Sequence, residues 1–180
     1  MRRLKFGLDS SAVSHVIVFE GVAIMLLNAK AILLVEDEQK DAQLVRLAFR
    51  KANVRRPVVV ARDGQEAMVY LRGFGKYRDR TRYPNPCLII VDLTLPGMNG
   101  VQLLGWLKGQ PEFEQVPRVV LTGSSQERDR KLAMELGCRD YFVKPPELDK
   151  LVEIISVIAG CGSRSTARRF VLEGQVLEAA

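Results

Sequence analysis

The chain has 180 residues, 47% of them hydrophobic, with 27 basic and 21 acidic side chains giving a formal charge of +6. That length supports one domain with a buried core, and no run reaches the roughly 18 uninterrupted apolar residues a membrane-spanning helix needs. The cysteines Cys87, Cys138 and Cys161 are odd in number and irregularly spaced, a pattern that excludes a disulfide framework or zinc site and fits a reducing cytoplasm.

Residues 1–29 read as an N-terminal extension, disordered or the product of an overlong reading frame with Met25 as the natural start. The apolar stretch Val16–Leu27 follows Arg2, Arg3 and Lys5, but Glu20 interrupts it and no small-residue cleavage site follows, so it does not read as a secretory signal. A domain then occupies residues 30–160, and 161–180 form a tail.

Within that domain short apolar runs alternate with longer amphipathic ones. Ala31–Val35 predicts a buried strand and Glu38–Ala52 a helix with Leu44, Leu47 and Ala48 at helical spacing. Pro57–Ala61 predicts a strand, Asp63–Leu71 a helix, and Arg72–Pro86 a polar loop carrying aromatics and prolines. Cys87–Val91 is the third strand, Gly100–Lys108 a helix, Pro117–Leu121 the fourth strand and Ser125–Leu136 a helix. Tyr141–Val143 and Pro146–Ala159 complete the series. Five strands alternating with five helices imply an α/β fold with a parallel sheet and right-handed crossovers. The strands are apolar throughout, as when helices cover both faces.

The chemistry lies in how those strands end. Glu36 and Asp37 follow the first, Asp92 the third, Thr122-Gly123-Ser124 the fourth, and Lys144-Pro145-Pro146 the fifth. Parallel sheets bind ligands beyond the carboxyl ends of their strands. If the first and third strands are neighbours, three carboxylates share one cleft and call for a hard cation that takes few protein ligands, which suits Mg2+. Glu36-Asp37 alone would read equally well as a solvated strand end. With Thr122 as hydroxyl donor and Lys144 as fixed cation, the set matches phosphoryl transfer, where positioning and charge neutralisation carry catalysis.

The segments ILLVEDE (32–38), DLTLPGMNG (92–100), VVLTGSS (119–125) and DYFVKPPEL (140–148) occur in order, and residues 30–160 resemble the receiver domain of two-component response regulators. The resemblance implies a flavodoxin-like, doubly wound (βα)5 sheet with strand order 2-1-3-4-5. It assigns Asp92 as phosphoacceptor, and Glu36, Asp37, Asp92 and the backbone carbonyl of Thr94 as Mg2+ ligands. Thr122 is similar to the family's switch hydroxyl, Tyr141 to its switch aromatic and Lys144 to its phosphate-contacting lysine; the bond before Pro145 is expected to be cis. The long segment Leu71–Pro86, together with LPGMNG and KPPEL, is similar to the single-domain regulators of bacterial phytochrome histidine kinases.

These readings set the functional expectation. The chain takes a phosphoryl group from a sensor histidine kinase onto Asp92 and signals by protein contact, since the flanking segments leave no room for an output domain of about 50 residues. It is not expected to be an enzyme: an aspartyl phosphatase wants a second acid just after the nucleophile, and Leu93 and Thr94 stand there. The alternative is a phosphorylation-independent docking module on the same fold. The basic groups, 20 against 17 acids over 31–160, accompany no nucleic-acid motif, so no nucleic-acid partner is expected. On the last helix Leu148, Leu151, Val152 and Ile155 form the inward stripe, and Ile154 and Val157 are expected to face outward as a homodimer surface on the strand five–helix five side.

Overall fold

Apolar, β-branched strands pair into a sheet whose two faces are both buried under helices. The computed structural model describes residues 30–161. The strands are β1 (Ala31–Val35), β2 (Val58–Ala61), β3 (Pro86–Val91), β4 (Arg118–Thr122) and β5 (Asp140–Val143), all parallel in the order β2-β1-β3-β4-β5. The helices are α1 (Gln39–Lys51), α2 (Gly64–Arg72), α3 (Gly100–Lys108), α4 (Glu127–Glu135) and α5 (Leu148–Cys161). This is the flavodoxin-like topology. The segments 1–29 and 162–180, with the expectations placed on them, lie outside the described residues.

Side chains alternate across the strands, so each strand feeds both layers. Ile32, Leu34, Leu88, Ile90, Val119 and Leu121 pack against α1 and α5 on one face. Leu33, Val35, Ile89, Val91 and Val120 pack against α2, α3 and α4 on the other. The winding reverses between β1 and β3, whose five paired positions place the ends of those two strands side by side. That neighbour relation puts the acids of the first and third strands at one edge.

Three sequence expectations need correction. On α1 the buried face is Ala42, Val45, Ala48 and Phe49, while Leu44 is 44% exposed. Phe49 supplies the large core side chain, which rotates the stripe away from Leu44. On α5 the buried set is Leu151, Ile154, Ile155 and Ile158, an i, i+3, i+4, i+7 stripe. Ile154 therefore belongs to the core and half-buried Val157 packs against it, so the outward apolar pair expected there does not exist. Finally, the peptide bonds among the described residues are trans, including that before Pro145; trans is the default for X-Pro.

The segment between α2 and β3 is a packed structure rather than an open loop. Gly73 closes α2 in the left-handed region at φ 69°, where a Cβ would be strained. A 3-10 turn, Gly75–Arg78, then buries Tyr77 between Tyr70 and Tyr83, with edge-to-face ring spacings of 5.2 and 4.9 Å. Arg80 donates to the carbonyls of Tyr70 and Leu71 at 2.9 and 2.8 Å, satisfying the end of α2, and the Tyr70 hydroxyl donates to Pro84 O.

Candidate functional site

Backbone pairing continues one step beyond the strands and fixes the residues that follow them. The Asp92 N–H donates to Val35 O at 3.0 Å, Glu36 N–H to Ala61 O at 2.9 Å and Lys144 N–H to Thr122 O at 2.7 Å. Each side chain at this edge thus leaves from a backbone held by its neighbour strand.

Asp92 is 5% exposed and has partners on both carboxylate oxygens. Its Oδ1 accepts from the Thr94 N–H at 2.9 Å and from Thr122 Oγ1 at 2.7 Å. Its Oδ2 accepts from Lys144 Nζ at 2.6 Å. The same ammonium donates to Glu36 Oε2 at 2.6 Å and to Asp41 Oδ2 at 2.8 Å. Burial alone would lower the Lys144 pKa, but these three carboxylates outweigh it and hold the ammonium charged well above its ordinary range. Glu36, 2% exposed, is pushed the other way: burial raises its carboxyl to about 7 despite Lys144. The neighbouring acids Asp92 and Asp41 add to that rise, less than burial does.

Glu36, Asp92, Thr122 and Lys144, all named from sequence, are therefore brought together. Asp37 is exposed and takes no part in the Lys144 ion pairs. Thr94 is also exposed, its N–H turned onto Asp92. Asp41 was missed. Its signal was weak: an acid in the first turn of α1, just after the acids that end β1. Only the approach of Lys144 from β5 reveals it.

The donor set fits a hard divalent cation. Carboxylates and a backbone carbonyl are the ligands Mg2+ prefers, and it needs only one or two carboxylates because it retains water. Among the described residues no three carboxylate, imidazole or thiol groups form a ready-made cage.

Tyr141 is 7% exposed, its hydroxyl donating to Ser124 O at 2.9 Å. Ser124 Oγ in turn donates to Asp129 Oδ2 at 2.6 Å. The ring likened to the family's switch aromatic is thus buried, and Thr122 is bonded to Asp92. The loop from Asp92 to α3 is equally constrained. Gly100 N–H donates to Leu93 O at 3.2 Å, Gly64 N–H donates to Met98 O at 3.0 Å, and Asn99 caps α3 reciprocally with Gln102.

Comparison with known proteins gives a consistent result. The family model for the response regulator receiver domain matches residues 32–156. Response regulator Rcp1 of Synechocystis sp. is 35% identical over 129 residues, covering 72% of this chain and 86% of that protein. The crystal structure of the phosphorylated cyanobacterial phytochrome response regulator RcpA superposes with a TM-score of 0.68 at 36% identity, covering 76% of this chain and 96% of that one. The Mn(2+)-bound form of response regulator Rcp1 gives 0.65 at 33% identity, covering 83% and 99%.

Proposed function

The chain belongs to the response regulator receiver domain family, and from that membership and the site geometry we propose that Asp92 accepts a phosphoryl group from a sensor histidine kinase. Receiver domains are signalling modules, and this one has relatives among phytochrome response regulators. The observation that carries the proposal is the convergence of Thr122 and Lys144 on the buried carboxylate of Asp92.

Asp92 is the nucleophile: a carboxylate oxygen attacks the phosphorus of a phosphohistidine, the P–N bond breaks and the imidazole leaves. Oδ2 is freed by giving up its one hydrogen bond, from Lys144, whereas Oδ1 holds two, from Thr94 and Thr122. Glu36, Asp37, Asp92 and the carbonyl of Thr94 would hold Mg2+, which when bound offsets charge on the acids and on the phosphoryl oxygens. Lys144 then exchanges a carboxylate partner for a phosphoryl oxygen, and Thr122 donates to another. Because Thr122 Oγ1 also accepts a long 3.4 Å contact from the Ser124 N–H, its movement reaches the loop that holds Tyr141. That loop, β5 and the neighbouring helices form the readout surface, a local charge change with a distant effect. Signalling occurs by protein contact in the cytoplasm, without nucleic acid. Among the described residues no helix is long and apolar enough to cross a membrane.

A homodimer through the β5–α5 side is a second reading. With Ile154 in the core, it rests on Val143, 42% exposed on the edge strand β5. Light scattering of wild type and Val143→Glu tests it, a monomeric wild-type mass being the contrary result.

Incubation with acetyl phosphate and Mg2+, read by intact mass, tests the main proposal. One phosphoryl group adds to wild type and none to Asp92→Asn or in the presence of chelator. Equal labelling of the Asn variant would move the chemistry elsewhere.

A further inference from the structure

Ser124 ties together four groups around the turn between β4 and α4. Its N–H makes the long 3.4 Å contact to Thr122 Oγ1, and its carbonyl accepts from the Tyr141 hydroxyl at 2.9 Å. Its own hydroxyl accepts from the Gln126 N–H at 3.3 Å and donates to Asp129 Oδ2 at 2.6 Å. One half-buried serine therefore touches both Thr122 and Tyr141, and a carboxylate on α4 holds it.

The local reason lies in how α4 begins. Its N-cap, Gln126, makes no side-chain cap bond, and Asp129 stands in the first turn. In a capping box the third helical residue reaches back to the N-cap N–H. Aspartate is one methylene shorter than the glutamate of such a box, and the Ser124 hydroxyl spans the difference. A hydroxyl donating to an ionised carboxylate makes a short, strong bond, as the 2.6 Å separation shows. Asp129 Oδ1 also lies 3.4 Å from Arg128 Nε, but that arginine's side chain is 81% exposed, and an exposed ion pair restrains little.

We propose that Asp129 is a positioning residue for phosphoryl transfer: by holding the Ser124 hydroxyl it fixes the turn from which Thr122 donates to Asp92 and against which Tyr141 closes. This role rests on Asp92 being the phosphoacceptor. Asp129 acts through Ser124 and not on the reacting atoms. A donor already in place when charge develops on the phosphoryl oxygens needs no reorganisation at that moment, so the rate depends on how firmly the Thr122 turn is held. Asp129 does more than begin a helix, because the residue it holds also carries the contacts to Thr122 and Tyr141.

Labelling of the full chain by acetyl phosphate and Mg2+ is timed by intact mass, with urea unfolding to show that each variant is folded. Asp129→Ala and Ser124→Ala should each label about three- to tenfold more slowly than wild type, the factor one hydrogen bond is worth. Asp129→Asn keeps an acceptor oxygen and should stay within about twofold. The double variant Ser124→Ala/Asp129→Ala should be no slower than the slower single, since both break one bond. In the unlabelled protein the Tyr141 ring resonances, assigned with Tyr141→Phe, should shift in both single Ala variants. A helix cap alone would lower the urea midpoints and leave the labelling rates unchanged, and that result overturns the role. Losses that multiply in the double variant overturn it as well, as does a slow Asp129→Asn beside a wild-type rate in Ser124→Ala, which would make the effect one of charge. A wild type that takes no label defeats the phosphoacceptor reading and this role with it, whereas a labelled wild type beside an equally fast Asp129→Ala defeats this role alone.

Discussion

Lys144 Nζ lies 2.6 Å from Asp92 Oδ2, so the ammonium from β5 is the counter-ion of the carboxylate that ends β3. It also serves Glu36 and Asp41. Lys144→Ala removes the shared partner of three acids, two of them buried. Its unfolding free energy in chelator should fall by about 2 kcal/mol, below the usual cost of breaking a fully buried pair because Lys144 keeps contact with water. Mg2+ should recover part of that loss while acetyl phosphate labelling remains at least tenfold slow. Urea unfolding with and without Mg2+ measures the first effect and intact mass the second.

Asp41 competes with the phosphoryl group for Lys144. Its side chain is 39% exposed, so Asp41→Asn should cost less than about 1 kcal/mol of stability. The freed ammonium is more available, and labelling should be faster by about two- to fivefold, a change of 0.4–1 kcal/mol in barrier. A time course of phosphorylation beside wild type decides this; a slower variant would make Asp41 a required ligand or positioner instead.

Gly100 tests how closely the loop after Asp92 must pack. A Cβ there would stand 2.1 Å from Asp92 O and 2.7 Å from Leu93 Cα, both backbone atoms that cannot step aside. Gly100→Ala should lose about 2–3 kcal/mol and with it most of the phosphorylation. Gly105, on the same helix with nothing within 4 Å, is the control: Gly105→Ala should gain about 0.5–1 kcal/mol. Denaturant midpoints for the two variants should move in opposite directions.

Glu66 gives the packed α2–β3 segment a pH signature. Burial would raise its carboxyl, but donors from Tyr77 at 2.6 Å, Arg62 N–H at 2.9 Å and Lys76 at 2.9 Å outweigh that and lower it to about 2. An acid with a depressed folded pKa adds stability above its unfolded value of 4.5, and loses it as pH falls from there toward 2. With solvent screening the contribution is about 1 kcal/mol. Wild type should exceed Glu66→Gln by that amount at neutral pH, and the gap should shrink through pH 4 and 3. A gap independent of pH would show that the hydrogen bonds act without the charge.

Much of the site was readable because its residues follow strands, and strand ends are punctuated locally. Each apolar run ends at the polar residue that enters the site: Glu36, Asp92, Thr122, Lys144. Helix faces were less legible. On α1 and α5 apolar residues occupy more than one stripe, and a single-residue rotation of about 100° decides whether Leu44 or Val45, and whether Ile154, meets the sheet. The chain between α2 and β3 looked like a loop because its order comes from aromatic stacking and Arg80, not from periodicity.

The alternation of elements, the family motifs and the chemical types gathered at the carboxyl edge could be read from local pattern, since those depend on neighbours a few residues apart. The partnership of Asp41 with Lys144 and the buried ring of Tyr141 come from the tertiary structure alone. Each joins groups that are far apart along the chain, and local pattern carries no information on which distant side chain arrives to satisfy a buried charge.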